Sequence, residues 1–157
     1  MAGVKLDSTD LQILQYLQDD GRITNVDLAS KVGISPPPCL RRVRVLEGNG
    51  SIRGYHADIN PESLNYGVLV FAQVGLNSQA EADLTAFENL TRSWEEVREV
   101  HMLAGETDFL LKIIAIDWDS YQRFLTQKLT PAPNVSVIKS SLAIKSAVKR
   151  PRVPIKV

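Results

Sequence analysis

Two segments near the N-terminus each carry the boundary signals of a short helix. In the first, Asp7 stands at an N-cap position with Asp10 three residues later. In the second, Thr24 and Asp27 have the same spacing, and Gly33 follows the last apolar position. Side-chain oxygens at such positions accept the free amides of a first helical turn, and glycine readily adopts the conformation that ends a helix. The sequence therefore predicts two short helices close together.

A third predicted helix begins with three consecutive prolines, in the stretch "SPPPCLRRVRVLEGNG" at 35–50. Pro36 and Pro37 each precede another proline, which disfavours helical backbone, so we expect the regular helix to begin near Pro38. The serine at 35 is an N-cap without amides to accept, because the next three residues have no N–H. At helical spacing, one apolar arc is predicted to face the core: Cys39, Leu40, Val43 and Leu46.

The segment that follows, "GSIRGYHADIN" at 50–60, alternates apolar residues with polar neighbours around Gly50 and Gly54; the apolar residues are Ile52, Tyr55, Ala57 and Ile59. This composition predicts a small β-hairpin. Three helices followed by a hairpin form a winged helix-turn-helix, whose third helix enters the major groove of DNA. The first domain is predicted to span residues 1–60.

After a joint at 61–67 the pattern changes to strands alternating with helices. Apolar, β-branched runs predict strands at 67–76, 97–105, 108–116 and 135–148, and amphipathic stretches predict helices at 78–90 and 117–129. Ser78 and Glu81 have capping-box spacing at the start of the first of these helices. The order β, α, β, β, α, β predicts a ferredoxin-like domain over 61–157, and thus an α+β protein.

Two of the predicted strands, 68–74 and 109–116, are apolar at nearly every position. Two helices cover only one face of a four-stranded sheet, and a face open to water would alternate apolar with polar residues. We therefore expect the second face to be buried in a two-fold dimer. A dimer also supplies two recognition helices, as a palindromic DNA site requires.

Charge is balanced over the whole chain, with 18 basic and 18 acidic residues, but it is unevenly distributed. Basic residues are concentrated at 41–54 and 139–157.

The single cysteine excludes an intramolecular disulfide, and no signal-peptide or membrane-span pattern is present, so a cytoplasmic protein without membrane association is expected. Neither histidine has metal-ligand spacing around it, and no catalytic or nucleotide-binding motif appears, so no metal or cofactor is expected.

Three stretches together resemble the Lrp/AsnC family, the feast/famine transcription regulators of bacteria and archaea. They are "LDSTDLQILQYLQDDGR" at 6–22, "LASKVGISPPPCLRRVRVLEGNGSIRGY" at 28–55 and "GETDFLL" at 105–111. The resemblance implies a DNA-binding domain joined by a hinge strand to a ligand-sensing and oligomerisation domain of RAM or ACT type. It also implies dimers that assemble into octamers, and an amino acid or similar effector bound between dimers.

The predicted recognition helix supplies most of the candidate contacts to double-stranded DNA. We expect Arg41 to contact a guanine and Val45 a thymine methyl group. Arg42, Arg44 and Arg53 are expected to contact phosphates, and the prolines are expected to make the start of the helix rigid. The full set of candidates is Ser35, Pro37, Pro38, Arg41, Arg42, Arg44, Val45 and Arg53. The plainer alternative is that the arginines form a solvated helix face.

The effector site is implied by the family motif at 105–108. Gly105 and Asp108 match it, with Glu106 between them, whereas Thr107 stands where many members have tyrosine. Asp108 is expected to accept a hydrogen bond from an α-ammonium group. Weaker candidates follow the last helix or end it, namely Gln127, Asn134 and Ser136. The alternative is a tight loop in which Gly and Asp are favoured anyway.

Two other functions remain open on sequence grounds. Sirohaem decarboxylases are similar to this family in both domains, although only one histidine, His101, lies in the second domain here. A small-molecule-binding partner of an enzyme is a third possibility, which the arginine cluster disfavours. A sequence-specific transcription regulator, not an enzyme, is the function that the sequence predicts.

Overall fold

The structure, a computed structural model, describes residues 5–149 and 152–156, and the chain divides into two compact units. The first unit comprises Met1–Asp58 with Lys149–Val157, and the second comprises Ile59–Val148. The last residues of the chain therefore group with the N-terminal helices.

Three helices form the first unit: α1 (Ser8–Asp19), α2 (Asn25–Val32) and α3 (Pro36–Gly48). The predicted N-caps of α1 and α2 are confirmed. Asp7 and Asp10 exchange the two hydrogen bonds of a capping box, and the Thr24 side chain accepts the Asp27 amide. Gly33 ends α2 with a φ of 76°, a conformation that side chains disfavour. The sequence thus determines these helix ends locally.

The core of the first unit is a small apolar cluster between the three helices. It contains Ile13, Leu28, Ala29, Cys39 and Leu46. The predicted apolar arc of α3 is correct for Cys39, Val43 and Leu46, which are buried or pack against this cluster. It is wrong for Leu40, which is 39% exposed and does not belong to the cluster, because helical spacing places it at the edge of the arc.

The start of α3 differs from the prediction. The helix begins at Pro36, with Ser35 as N-cap, and not near Pro38. Proline at the first helical positions loses only amides that would be unpaired there, and its fixed φ suits a helix. The Cys39 amide donates to the Ser35 carbonyl at 3.3 Å, and the buried Cys39 side chain anchors the turn. As predicted, the Ser35 side chain makes no cap hydrogen bond.

The predicted hairpin at 50–60, with its hinge strand, is absent, and this segment forms no strand. Tyr55, Ala57 and Ile59 alternate as in a strand, but no second alternating stretch is available to pair with them, because Ile52 and Tyr55 lie three residues apart. The two residues instead make separate contacts. Ile52 packs against the first core and its amide donates to Leu46, while the Tyr55 hydroxyl lies 3.0 Å from a Glu47 carboxylate oxygen.

The second unit confirms the predicted β, α, β, β, α, β order. A 3₁₀ turn at Pro61–Leu64 precedes the strands β1 (Val68–Leu76), β2 (Val97–Met102), β3 (Phe109–Ala115) and β4 (Val135–Leu142). The helices are α4 (Glu81–Thr91) and α5 (Trp118–Phe124), and a π-helical turn, Leu125–Leu129, extends α5. The sheet order is β2-β3-β1-β4, and every pairing is antiparallel.

Alternate residues of the central strands form the second core. Every second residue of β3, from Phe109 to Ala115, is buried, and the residues between are half-buried. Trp94 lies beneath this layer, 7% exposed, with its ring edge-on to Phe124 at a centroid distance of 5.5 Å. The core is completed from both helices and the sheet by Val70, Ala72, Val74, Phe87, Leu111, Ile113, Tyr121 and Leu129.

Two local features of the second unit differ from the sequence prediction. Ser78 and Glu81 do not form a capping box, because α4 begins at Glu81 with Ala80 as N-cap. The Ser78 hydroxyl instead donates to an Asp83 carboxylate oxygen at 2.5 Å and accepts the Ala80 amide. The π-helical turn after α5 was not predicted, because periodicity places the apolar residues correctly in either helix type.

Candidate DNA-binding helix and ligand loop

The exposed face of α3 presents cations that have no acidic partner. Arg41 and Arg44 are exposed, and within the described ranges neither forms an ion pair or hydrogen bond. Val45 lies beside them, 59% exposed. Pro37 is also exposed and lies one turn before Arg41. Arg53, after the helix, is exposed and unpaired among the residues described. These residues form a cationic surface with an apolar margin.

The start of α3 offers a hydroxyl but few amides. The side chain of Ser35 is exposed and makes no hydrogen bond to its own helix. Prolines occupy the first three helical positions, and Pro38 is half-buried. Helix N-termini ordinarily bind anions through free N–H groups, and here the first available amide, that of Cys39, is bonded to Ser35. The side chains must therefore supply the anion contacts.

Arg42 differs from the other arginines, because it is paired within the protein. Its guanidinium donates to Asp7 at 2.7 Å and to Asp10 at 2.8 Å, which joins α3 to the first turn of α1. Hydrogen bonds from the Asp10 amide and from Arg42 hold the pKa of the Asp7 carboxyl below its usual value. The expected phosphate contact from Arg42 would require breaking these ion pairs.

Asn25 is a structural residue of this interface that sequence reasoning missed. Its Nδ2 atom donates to the carbonyl of Pro36 at 2.9 Å, so the first residue of α2 holds the first residue of α3. No motif marks this contact, because it depends on the angle between the two helices.

Cys39, in the core nearby, has a thiol pKa raised by burial, which favours the interpretation of a packed side chain over a redox group.

The second candidate site lies where β1 ends and β3 begins. The Oδ2 atom of Asp108 accepts the Leu76 amide at 2.7 Å and faces Gln79 Nε2 at 3.5 Å. Its Oδ1 atom makes no hydrogen bond with the described residues. Gln79 Nε2 also donates to the Leu76 carbonyl at 3.1 Å. Gln79 was not a predicted site residue, because the sequence shows only that it lies near the start of a helix. One carboxylate oxygen thus builds the loop, and the other is free.

The start of β4 joins the same edge of the sheet. Ser136 Oγ donates to the Gly75 carbonyl at 2.9 Å, and Asn134 Nδ2 donates to the Ser78 carbonyl at 3.2 Å. Asn134 has a φ of 67°, which asparagine tolerates better than most residues. A Cβ on Gly75 would lie 2.7 Å from the Val137 side chain, so a larger residue would require Val137 to move. The structure therefore brings Asn134 and Ser136 to Asp108 within one chain. We refer to Leu76, Gln79, Asp108, Asn134 and Ser136 as the ligand loop.

The remaining predicted effector residues are distributed differently. Gly105 and Glu106 are exposed, and nothing lies within 4 Å of a Cβ built on Gly105, so this position is open to solvent. Thr107 is buried, with 5% of its surface exposed, so it is not available to a ligand in the way that Gly105 and Glu106 are. Gln127 lines a separate cleft of about 310 Å³ with Ile116, beyond the opposite end of β3. The structure does not bring Gln127 to the ligand loop of the same chain.

Two further findings concern the described ranges, 5–149 and 152–156. No helix within them is both long enough and apolar enough to span a membrane. They also contain no cluster of three or more His, Cys, Asp or Glu side chains able to hold a metal ion.

Comparison with known proteins assigns each unit to a family model. Residues 6–53 match the model described as winged helix-turn-helix DNA-binding, and residues 69–153 match that of the Lrp/AsnC ligand binding domain. These spans contain the exposed face of α3 and the whole ligand loop.

Similar proteins cover nearly the full chain. The leucine-responsive regulatory protein of Rhizobium meliloti (strain 1021) is 51% identical over 142 residues, 90% of this chain and 91% of that protein. The protein of that name from Escherichia coli (strain K12) is 39% identical over 154 residues, 98% of this chain and 94% of its own. A transcriptional regulator from Neisseria meningitidis, solved as its complex with L-Met, has a TM-score of 0.89 and 38% identity, with coverage of 96% and 97%.

A winged helix-turn-helix with a basic recognition helix, joined to a ligand-binding β, α, β, β, α, β domain, defines a transcription regulator. The chain belongs to the Lrp/AsnC family of such regulators. The predicted family and fold class are thereby confirmed.

The capping-box acid Asp7 generates a prediction about pH. Because the folded pKa of Asp7 is below its unfolded value of about 3.9, its contribution to stability is full above that value and is lost as pH falls through the folded pKa. Asp7→Asn keeps an N-cap acceptor but removes the charge. We expect thermal melts followed by circular dichroism to show a smaller drop in midpoint between about pH 5 and about pH 2 for Asp7→Asn than for the wild type. Equal drops would contradict this role of Asp7.

Proposed function

We propose that this regulator binds a two-fold symmetric DNA site through paired α3 helices, and that an amino acid bound at the ligand loop changes that binding. The observation that carries the proposal is the exposed face of α3, where Arg41 and Arg44 have no partner among the described residues. Unpaired arginines at this position of a helix-turn-helix are available to phosphates and base edges.

The arginines have different roles in this proposal. Arg41, near the N-terminal end of α3, contacts a guanine edge, and Val45, one turn later, contacts a thymine methyl group. Arg44 and Arg53 contact phosphates, and the free Ser35 hydroxyl donates to another phosphate. Pro37 and Pro38 fix the helix start without offering amides, and Arg42 holds α3 against α1 through its ion pairs.

The two arginine roles predict different mutant behaviour. Arg41→Ala should weaken binding by about 1 to 3 kcal/mol and relax preference at one base position, since a base contact is lost. Arg44→Ala should weaken binding to all sequences alike and reduce the salt dependence. Selection from a randomised DNA library, with affinities measured at two salt concentrations, distinguishes these outcomes.

Arg92→Ala is the matched control, because Arg92 is an exposed arginine of the ligand-binding unit paired only with Glu88 among the described residues. It should leave both affinity and preference unchanged. A uniform loss of affinity in both α3 variants would refute the assigned roles.

A dimer accounts for the second face of the sheet. The register places apolar side chains on this face beside the Lys112–Glu99 ion pair, whose atoms lie 2.6 Å apart. Phe71 is 37% exposed at its centre. The apolar members are Leu69, Phe71, Leu110, Ile114 and Val137. A second copy would bury this self-complementary surface, and dimers would associate further, up to octamers.

The dimer proposal is tested by placing a charge on the apolar face. Phe71→Lys should convert the protein to monomers in sedimentation velocity experiments, because a lysine there would be buried without a partner. It should also weaken binding to a palindromic site more than to a half-site. Val26→Lys, which replaces a 64% exposed side chain on α2, should sediment like the wild type. Unchanged sedimentation of Phe71→Lys would exclude this face as the interface.

An amino acid suits the chemistry of the ligand loop. The free Oδ1 atom of Asp108 is an acceptor for an α-ammonium group, and the open position at Gly105 gives a ligand room to approach. The L-Met complex of the related Neisseria meningitidis regulator supports this class of ligand. The effector acts by linkage, which means that it shifts DNA binding only as far as its affinity differs between free and DNA-bound protein.

Asp108→Asn separates the two functions of this carboxylate. The amide oxygen can still accept the Leu76 N–H, while the NH₂ group replaces the free oxygen and repels an ammonium. In calorimetric titrations with L-Met and a panel of other amino acids, we expect the variant to fold normally and lose at least about tenfold in affinity, as for a hydrogen bond between charged groups. Asp119→Asn, an exposed acid on α5, is the control. Full affinity in Asp108→Asn would contradict the assignment.

A regulator is favoured over the enzyme alternative by the position of the one histidine in the second unit. His101 is exposed on the sheet and lies 3.2 Å from Glu99. Its partner is thus a carboxylate on the sheet face that the proposed dimer covers, whereas a tetrapyrrole decarboxylase needs a pocket lined by histidine and arginine. The relatives named above are regulatory proteins.

A further inference from the structure

The C-terminal residues of the chain make specific contacts with α1 in the first unit. The Gln18 side chain forms two hydrogen bonds with one backbone residue of this segment: Nε2 donates to the Val153 carbonyl at 3.0 Å, and Oε1 accepts the Val153 amide at 3.2 Å. A primary amide that satisfies both backbone groups of a single residue recognises an extended peptide without regard to its side chain. The contact is therefore a defined docking point.

Charge complementarity extends this docking point. Helix α1 ends with Asp19 and has no basic residue in its last turn, so a negative charge stands where the helix dipole is also negative. Arg152 lies 2.5 Å from Asp19 and supplies the missing cation. Lys149 pairs with Asp58 at 2.7 Å. These pairs are exposed and individually weak, so they orient the segment, and the contact with Gln18 fixes its position.

Gln18 and Val153 also line a cleft that is mainly apolar. Leu14 and Leu17 of α1 line one side, Ile52 and Tyr55 line another, and Pro154 and Ile155 complete it. The cleft has a volume of about 970 Å³.

We propose that the groove between α1 and residues 52–56 is a binding site for the chain's own C-terminal segment, Lys149 with residues 152–156. This segment acts as a strap that fixes the end of α1. Because Arg42 joins the start of α1 to α3, a fixed α1 holds the recognition helix in position. The strap thus supports DNA binding without touching DNA.

The decisive variant is Gln18→Ala in the full-length protein, since it removes the docking point and leaves every charge in place. Hydrogen exchange should show a protected Val153 amide in the wild type. In Gln18→Ala that protection should fall about tenfold, the change expected when one hydrogen bond is lost from an opening equilibrium. Affinity for DNA should fall about threefold or more, because α1 and α3 are less firmly held.

Gln15→Ala is the matched control. It makes the same substitution one turn away in α1, at an exposed side chain with no hydrogen bond among the described residues. It should preserve both Val153 protection and DNA affinity. A chain ended after Val148 provides a second test, in which exchange should increase at the end of α1 and over residues 52–56.

Two results would overturn the proposal. A Val153 amide that exchanges as fast in the wild type as in a free peptide would show that the segment does not dock. Loss of Val153 protection in Gln18→Ala with unchanged DNA affinity would show that docking does not support α3. Both measurements are made without an effector, so they are independent of the proposed amino-acid response.

Discussion

The antiparallel pairing of β1 with both of its neighbours is the constraint on which the ligand-binding unit depends. Because β3 and β4 both run opposite to β1, their first residues meet at its last residues. Asp108 and Ser136, far apart in the sequence, therefore both bond to the end of β1, at Leu76 and Gly75. The strand directions therefore bring the residues of the ligand loop together. Their side-chain hydrogen bonds then hold the end of β1 against the starts of β3 and β4.

Local signals account for most of what the sequence predicts correctly. The capping residues of α1 and α2, the glycine that ends α2 and the apolar, β-branched run of β3 all act within a few residues, so they can be recognised without a structure. The order of the elements then follows, and with it the fold class. The shared face of Arg41 and Arg44 is likewise a matter of helical spacing.

The features that the sequence does not predict depend on tertiary geometry. Arg42 belongs by spacing to the basic flank, and only the packing of α3 against α1 pairs it with Asp7 and Asp10. Asn25 and Gln79 act through contacts across an interhelical angle and a loop, for which no short pattern exists. The predicted hairpin is absent for a related reason. Glycines near apolar residues indicate a turn between two strands, but a strand forms only beside a partner strand.

Trp94, edge-on to Phe124 beneath the sheet, shows how unevenly the aromatic residues are distributed. Both tryptophans of the chain, Trp94 and Trp118, belong to the ligand-binding unit, and the helix-turn-helix unit has none. The tryptophan fluorescence of the unmodified protein therefore comes from the ligand-binding unit alone. Emission from the buried Trp94 indole reports on the packing between sheet and helices, while the DNA-binding unit contributes only tyrosine.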